Sequence, residues 1–427
     1  MDIDLGHLRK PCVCGREHKL QVREIYVEPG AVSHLMDILE NFQNPVLICD
    51  SNTRAAAEPF LEEEYKDYPV IELNPEGLTA DNESVEKVLT QVDFCDRGCS
   101  AVPVDILVAI GAGTIHELTR YCANEHGIPF VSIPTAASGD SFASTVAAIT
   151  WDGMKKTLPA AAPEWILADT DIFSAAPYKL TAAGISDVLG KYTALLDWRV
   201  SHLLTDEYIC EEICEMEEDM IRDIRHELDD IRDGDKDAME KLMYALIFSG
   251  LAMQMAGTSR PVSGAEHHVA HLLDMESGKC AKPVLHGEKV SVGLLLVIEE
   301  YKKLAGWIRA KRTVVQSETL KGLEYGLLEK VFGKETVLEE ILAENTPNPL
   351  EDIDLERFEE SLEKIADLID DLPETEQLRN KMKKAGCITT LSEIQMTEGQ
   401  KEDILHVSPY VRSRLTLLRL MKLIEVR

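Results

Sequence analysis

Over the first 150 residues, short apolar runs alternate with helical patterning. Pro45 to Cys49 (PVLIC), Val70 to Leu73, Asp105 to Ile110 (DILVAI) and Pro129 to Ile133 (PFVSI) each read as a buried strand. Between Ile110 and Pro129, the segment His116 to His126 (HELTRYCANEH) has room for about three helical turns, as a parallel crossover requires. A further strand pair is predicted within Ser144 to Asp169, where Trp151-Asp152-Gly153-Met154 supplies the turn. Beyond Pro177 the apolar period changes to 3.6, through Leu180 to Leu204, Ile209 to Ile231, Lys236 to Met255, Val290 to Leu304 and Phe358 to Ile369. The expected architecture is an α/β N-terminal Rossmann-like domain, residues 1–177, followed by an all-helical C-terminal domain, residues 178–427. Neither an internal repeat nor a low-complexity linker separates them, and a cleft between two domains is the default place for a site.

A chain of 427 residues exceeds one ordinary core, in keeping with two domains. Its 45% hydrophobic and 28% charged content is that of a globular protein. The 44 Lys and Arg against 76 Asp and Glu leave a net charge of −32, which repels a nucleic-acid backbone and an anionic membrane surface. A small phosphorylated ligand can still bind where cations and backbone N–H groups are concentrated in one cleft. The N-terminus has no apolar signal region, and the longest apolar stretch, around Val290 to Ile298, falls well short of a bilayer, so the expected location is cytoplasmic. Ten cysteines without regular spacing read as reduced thiols. Cys12, Cys14 and His18 have zinc-like spacing, but no second pair accompanies them, and they are read as a structural turn; Cys95 and Cys99 are read the same way. The acidic helices at Glu211 to Asp230 and Leu350 to Glu376 read as solvated faces.

Chemistry enters at four places. Gly111-Ala112-Gly113-Thr114 follows a strand and opens a helix, so backbone amides and a positive helix end face one point, as a pyrophosphate needs. Pro134 to Ser144 (PTAASGDSFAS) is a loop of small and hydroxyl side chains at the C-terminal edge of the sheet, where ligands of open α/β sheets bind. In Glu266 to His271 (EHHVAH), His267 and His271 stand four apart on one helix face, with His268 rotated away. Leu285-His286-Gly287-Glu288 sets His286 at the start of an apolar helix, while Asp187 lies inside another, where a buried carboxylate needs a partner. One divalent metal held by Asp187, His267 and His286 satisfies all three groups and leaves coordination positions open, as in a catalytic site.

Five ordered motifs, GAGTIHE, PTAASGDSFAS, GISDVLGKYTALLDW, SRPVSGAEHHVAH and LHGEKVSVG, resemble the superfamily of iron-type alcohol dehydrogenases, glycerol dehydrogenase and dehydroquinate synthase, across roughly residues 20 to 310. Within it the closest likeness is to the sn-glycerol-1-phosphate dehydrogenase family, bacterial type. That resemblance implies a homodimeric enzyme reducing dihydroxyacetone phosphate with NADH or NADPH, the metal polarising the C2 carbonyl. The bacterial branch favours nickel (Ni2+) and the archaeal branch zinc (Zn2+). By the same likeness the NAD(P) site maps onto Gly111, Ala112, Gly113, Thr114 and Ile115, onto Thr135, Ala136, Ala137 and Ser138, and onto Ser144, with Asp50 facing the ribose. The metal set maps onto Asp187, His267 and His286, and the substrate contacts onto Asp140, Asp187 and His271. Gly139 and Ser141 replace residues common in the archaeal branch. A carboxylate at Asp50 disfavours the 2′-phosphate of NADPH. Arg260, in a loop because Pro261 follows it, is the expected phosphate cation, with Lys191 a second candidate. Glycerol dehydrogenase and dehydroquinate synthase activities, or a protein-interaction scaffold, are the alternatives.

Overall fold

A computed structural model describes residues 3–98, 102–276, 283–316, 324–333 and 335–427. Cys99 therefore lies outside the described residues. Two compact units result, one of residues 1–188 and 222–258, the other of residues 189–221 and 259–427. The division thus falls after Val188, inside the helix Tyr178–Thr205, rather than at residue 177.

In the first unit six strands form one parallel sheet: β1 (Glu24–Glu28), β2 (Pro45–Asp50), β3 (Val70–Leu73), β4 (Ile106–Gly111), β5 (Phe130–Pro134) and β8 (Trp165–Asp169). Their order is β3-β2-β4-β5-β8-β1. The apolar runs PVLIC and DILVAI become β2 and β4, every residue of which is buried because helices cover both faces. From β2 the chain steps outward to β3 and then returns to the other side of β2 as β4. The sheet's winding therefore reverses between β2 and β4, and a crevice opens at their C-terminal ends, at Asp50 and Gly111.

The expected strand pair forms as the antiparallel hairpin of β6 (Val146–Trp151) and β7 (Met154–Pro159). Asp152 and Gly153 at its tip both take positive φ, 52° and 89°, the requirement of a tight two-residue hairpin turn. The helix Lys236–Ala256 belongs to this unit too. Its Gly250 lies against Ala143, and Gln254 donates to the Ala143 carbonyl (2.5 Å) while accepting from the Gln21 N–H (2.8 Å).

The second unit is built mainly from helices, including Ala265–Glu276, His286–Arg309 and Leu355–Asp370. It is not wholly helical, since β9 (Thr313–Val315) pairs antiparallel with β10 (Ile424–Val426). Three residues apiece are too few for a strand to register in apolar periodicity. No helix among the described residues is long and apolar enough to cross a membrane.

Candidate active site

In the first unit the glycine turn is built from below. A Cβ on Gly111 would stand 2.4 Å from that of Ile115, so glycine is needed for the helix Gly113–His126 to start this close to β4. Ile115 is buried beneath that contact. Beside it His116 bridges the Ala112 carbonyl (Nδ1, 3.0 Å) and Ser132 Oγ (Nε2, 2.7 Å), fixing the turn to β5. Burial depresses the His116 pKa to about 3, so the ring is neutral. Around Gly113 the space is open, at the N-terminus of a helix of 14 residues. Backbone donors, positive helix end and bare glycine together fit a pyrophosphate.

Across the crevice Asp50 Oδ1 accepts the N–H groups of Asn52 (2.8 Å) and Thr53 (3.0 Å), capping the helix Ser51–Ala57. Arg54, the nearest cation in sequence, is paired with Glu72 at 2.6 Å.

The hydroxyl loop after β5 is more tightly packed than its sequence implies. Thr135 N–H donates to the Gly111 carbonyl (2.9 Å), and Ala136 and Ala137 are buried. Gly184 lies under the Ala137 carbonyl, which a Cβ there would approach to 2.1 Å. Ser138, half-buried, bonds through its N–H to the Ala136 carbonyl (3.0 Å). Ser144, expected in the cofactor site, has a buried hydroxyl that exchanges hydrogen bonds with the carbonyl (3.1 Å) and N–H (3.0 Å) of Val146, at the start of β6. Arg120 holds this loop, donating to the Ser141 and Ser144 carbonyls. At the turn itself Asp140 N–H donates to Asp187 Oδ2 (3.0 Å), and Gly139 allows the approach, its Cβ position being 3.3 Å from that oxygen. Asp140 and Asp187 are therefore brought together.

In the second unit three imidazoles converge. Ring centroids of His267, His271 and His286 are 6.0, 5.4 and 5.6 Å apart in the pairs His267–His271, His267–His286 and His271–His286. Two carboxylates behind them orient the rings. Glu266 Oε1 lies 2.7 Å from His267 Nδ1, and Asp274 Oδ2 lies 3.3 Å from His286 Nδ1, so in both rings Nε2 is the nitrogen turned away from the carboxylate. Burial opposes the charge of Glu266, but His267, the Thr193 hydroxyl and the Gly264 N–H outweigh it and hold this carboxyl below its usual range. Asp274 also binds Lys289 Nζ at 2.6 Å. His271 Nδ1 is 3.8 Å from Asp274, beyond hydrogen-bond reach, and burial keeps the ring neutral. His268, on the other face, is fully buried, with no hydrogen-bond partner for either ring nitrogen among the described residues. The donor set of His267 and His286 fits a divalent metal: two imidazoles, backed by carboxylates, from separate helices.

Arg260 was expected to be the phosphate cation. It sits in the loop that Pro261 enforces, but its guanidinium forms a bidentate pair with Glu207 (2.8 and 2.6 Å) and also binds the Leu415 carbonyl. Its charge is thereby cancelled. Arg414 differs, because its donors go to the Ser259 and Ser263 carbonyls and the Ser259 hydroxyl, which satisfy geometry without cancelling charge. Burial, with Arg260 and Arg412 adding repulsion, lowers Arg414 to about 9. Such a cation gains from an incoming anion. Arg414 and Asp274 lie outside the motifs, and Glu266, though it opens EHHVAH, was given no role of its own. Only the Glu preceding His267 could have been read, as an adjacent carboxylate to a ligand. Lys191 is buried in the helix Tyr178–Thr205.

Residues 26–177 match the iron-containing alcohol dehydrogenase family. The chain is 31% identical over 390 residues to glycerol-1-phosphate dehydrogenase [NAD(P)+] of Geobacillus stearothermophilus, covering 89% of this chain and 87% of that one. It is 30% identical over 420 residues to the enzyme of the same name from Halalkalibacterium halodurans, covering 95% and 94%. A putative alcohol dehydrogenase from Ralstonia eutropha JMP134 shares the fold, with a TM-score of 0.60 at 15% identity over 97% of this chain and 96% of that one. Similarity at this level over nearly the full length places the chain in the glycerol-1-phosphate dehydrogenase [NAD(P)+] family of iron-type alcohol dehydrogenases, which are oxidoreductases.

Proposed function

We propose that this protein reduces dihydroxyacetone phosphate reversibly to sn-glycerol 1-phosphate, with NADH as the preferred reductant and one divalent metal, nickel or zinc. The observation that carries the reading is the triangle of His267, His271 and His286, with carboxylates set behind the first and last. Asp187, His267 and His286 are the proposed ligands. Support for Asp187 comes from its own helix: Gly190, one turn on along the same face, lies 4.0 Å from the His267 ring at its Cβ position. When bound, the metal supplies a Lewis acid for the substrate's C2 carbonyl, and the nicotinamide supplies the hydride.

The remaining work belongs to this chain. Gly111 to Thr114 present backbone donors to the pyrophosphate, and Asp50 faces the ribose, where its carboxylate disfavours a 2′-phosphate. Arg54 cannot offset that, being committed to Glu72. Asp140, fixed through its N–H, orients a substrate hydroxyl, while the neutral His271 ring donates or accepts a proton there. Arg414, with Arg412 beside it, takes the substrate phosphate in place of Arg260.

NADH oxidation is to be measured with dihydroxyacetone phosphate and with dihydroxyacetone, alongside metal content. Activity should vanish on metal removal, and in Asp187→Ala and His286→Ala with circular dichroism unchanged. Arg414→Leu should erode the preference for the phosphorylated ketone roughly 10- to 100-fold, the scale of one hydrogen bond to a charged group. Undiminished turnover by the metal-free protein overturns the proposal.

A further inference from the structure

Residues 9–23 lead into β1 without helix or strand. With no backbone ladder, such a segment must be held by its side chains. Near its start, Gly15 N–H donates to the Cys12 carbonyl (3.1 Å) and Gly15 takes a φ of 80°, closing a tight turn that needs glycine at this position. The turn is inverted with respect to hydrophobicity. Val13 at its tip is 95% exposed, whereas His18 is only 3% exposed. Packing alone gives no reason to put an apolar side chain in water and an imidazole inside.

A metal does. Cys14 Sγ and His18 Nε2 are 3.4 Å apart, and one donor atom from each of Cys12, Cys14 and His18 lies within 4.8 Å of the other two. In a tetrahedron with the usual zinc bond lengths, neighbouring sulfur and nitrogen ligands stand about 3.5 Å apart. The Cys14 N–H donates to Cys12 Sγ (3.4 Å), which holds the two cysteines on the same side of the turn. Neither cysteine is in a disulfide. We propose that Cys12, Cys14 and His18 supply three ligands of a zinc ion, separate from the metal proposed at Asp187, His267 and His286. On binding, each thiol releases its proton and the sulfur donates a lone pair, which selects a soft ion such as zinc.

Cobalt(II) tests this in the full-length protein, because sulfur-to-cobalt charge transfer absorbs in the near ultraviolet and a site of carboxylate and imidazole does not. Metal-stripped, reduced protein titrated with cobalt should develop that band. The band should persist in His286→Ala, disappear on adding zinc and be lost in the Cys12→Ser/Cys14→Ser double variant. Since that variant could fail to fold, alkylation of the wild-type protein, read by peptide mass, gives a second measure: zinc should protect Cys12 and Cys14 from labelling. No thiolate band in the wild type, an undiminished band in a folded double variant, or equal labelling of both cysteines with and without zinc overturns the site.

Discussion

Glu266 is the residue on which the proposed metal site turns. It accepts from Thr193, from the Gly264 N–H and from His267, so one buried carboxylate sets both the start of the Ala265–Glu276 helix and the ring that the helix carries. Replacing such a carboxylate behind a metal-bound histidine costs about 10- to 100-fold in affinity. Glu266→Gln should therefore weaken divalent-metal binding by that factor with the helical content unchanged; competition with a chelating dye measures it, and equal affinity would show that Glu266 is structural only. The histidines themselves were legible, because the spacing of His267 and His271 and the helix start at His286 are local patterns. The pairing of Arg260 was not legible, because its partner, Glu207, lies 53 residues away and nothing local signals the pair. The bonding of Ser144 escaped for the opposite reason, since its hydroxyl bonds only two residues on, to a strand whose first residue the sequence leaves open.

At the level of elements, glycines decide which segments can meet. Gly184 in the helix Tyr178–Thr205 admits the Ala137 carbonyl, and Gly250 in the helix Lys236–Ala256 admits Ala143, so two helices grip the loop after β5. Adding a methyl group where 2.1 Å is available forces backbone movement, and overpacking of this kind costs about 1–3 kcal/mol or more. Gly184→Ala should lower the unfolding midpoint in urea and raise the KM for NADH, by displacing residues 135–140; a variant with wild-type values for both would show that the loop relaxes freely. Four of the six parallel strands, β2 to β5, were legible as apolar runs, β2 and β4 because both their faces are buried, whereas β1 at the sheet edge buries only Val27 and leaves no such run; the β6–β7 turn was legible because Asp-Gly favours positive φ. The helix Lys236–Ala256 was legible as a helix but not as part of the first unit. Period 3.6 reports that one face is covered and says nothing of what covers it.

Across the whole molecule two electrostatic effects oppose each other as pH falls. The net charge of −32 relaxes toward zero near the pI of about 4.7, which lessens self-repulsion. Meanwhile His116 must remain neutral in the folded state down to about pH 3, whereas an unfolded histidine takes up its proton near 6.5. Its depressed pKa contributes stability that is complete above pH 6.5 and is lost progressively toward pH 3, by about 1.4 kcal/mol per unit. Salt screens the first effect and leaves the second, which is buried. In high salt, unfolding free energy should fall between pH 7 and pH 5, and His116→Asn should flatten the slope; equal slopes would assign the acid sensitivity to other groups. The order of the sheet carries one more implication. Because the winding reverses between β2 and β4, the proposed ribose and pyrophosphate contacts fall on separate stretches of chain, and under that proposal coenzyme choice can drift at position 50 while the glycine turn stays intact. That drift has a narrow corridor, since Asp50 also starts the helix Ser51–Ala57: only Asn, Ser or Thr would shed the charge and still cap it, so a lineage moving toward NADPH would be channelled through those three side chains.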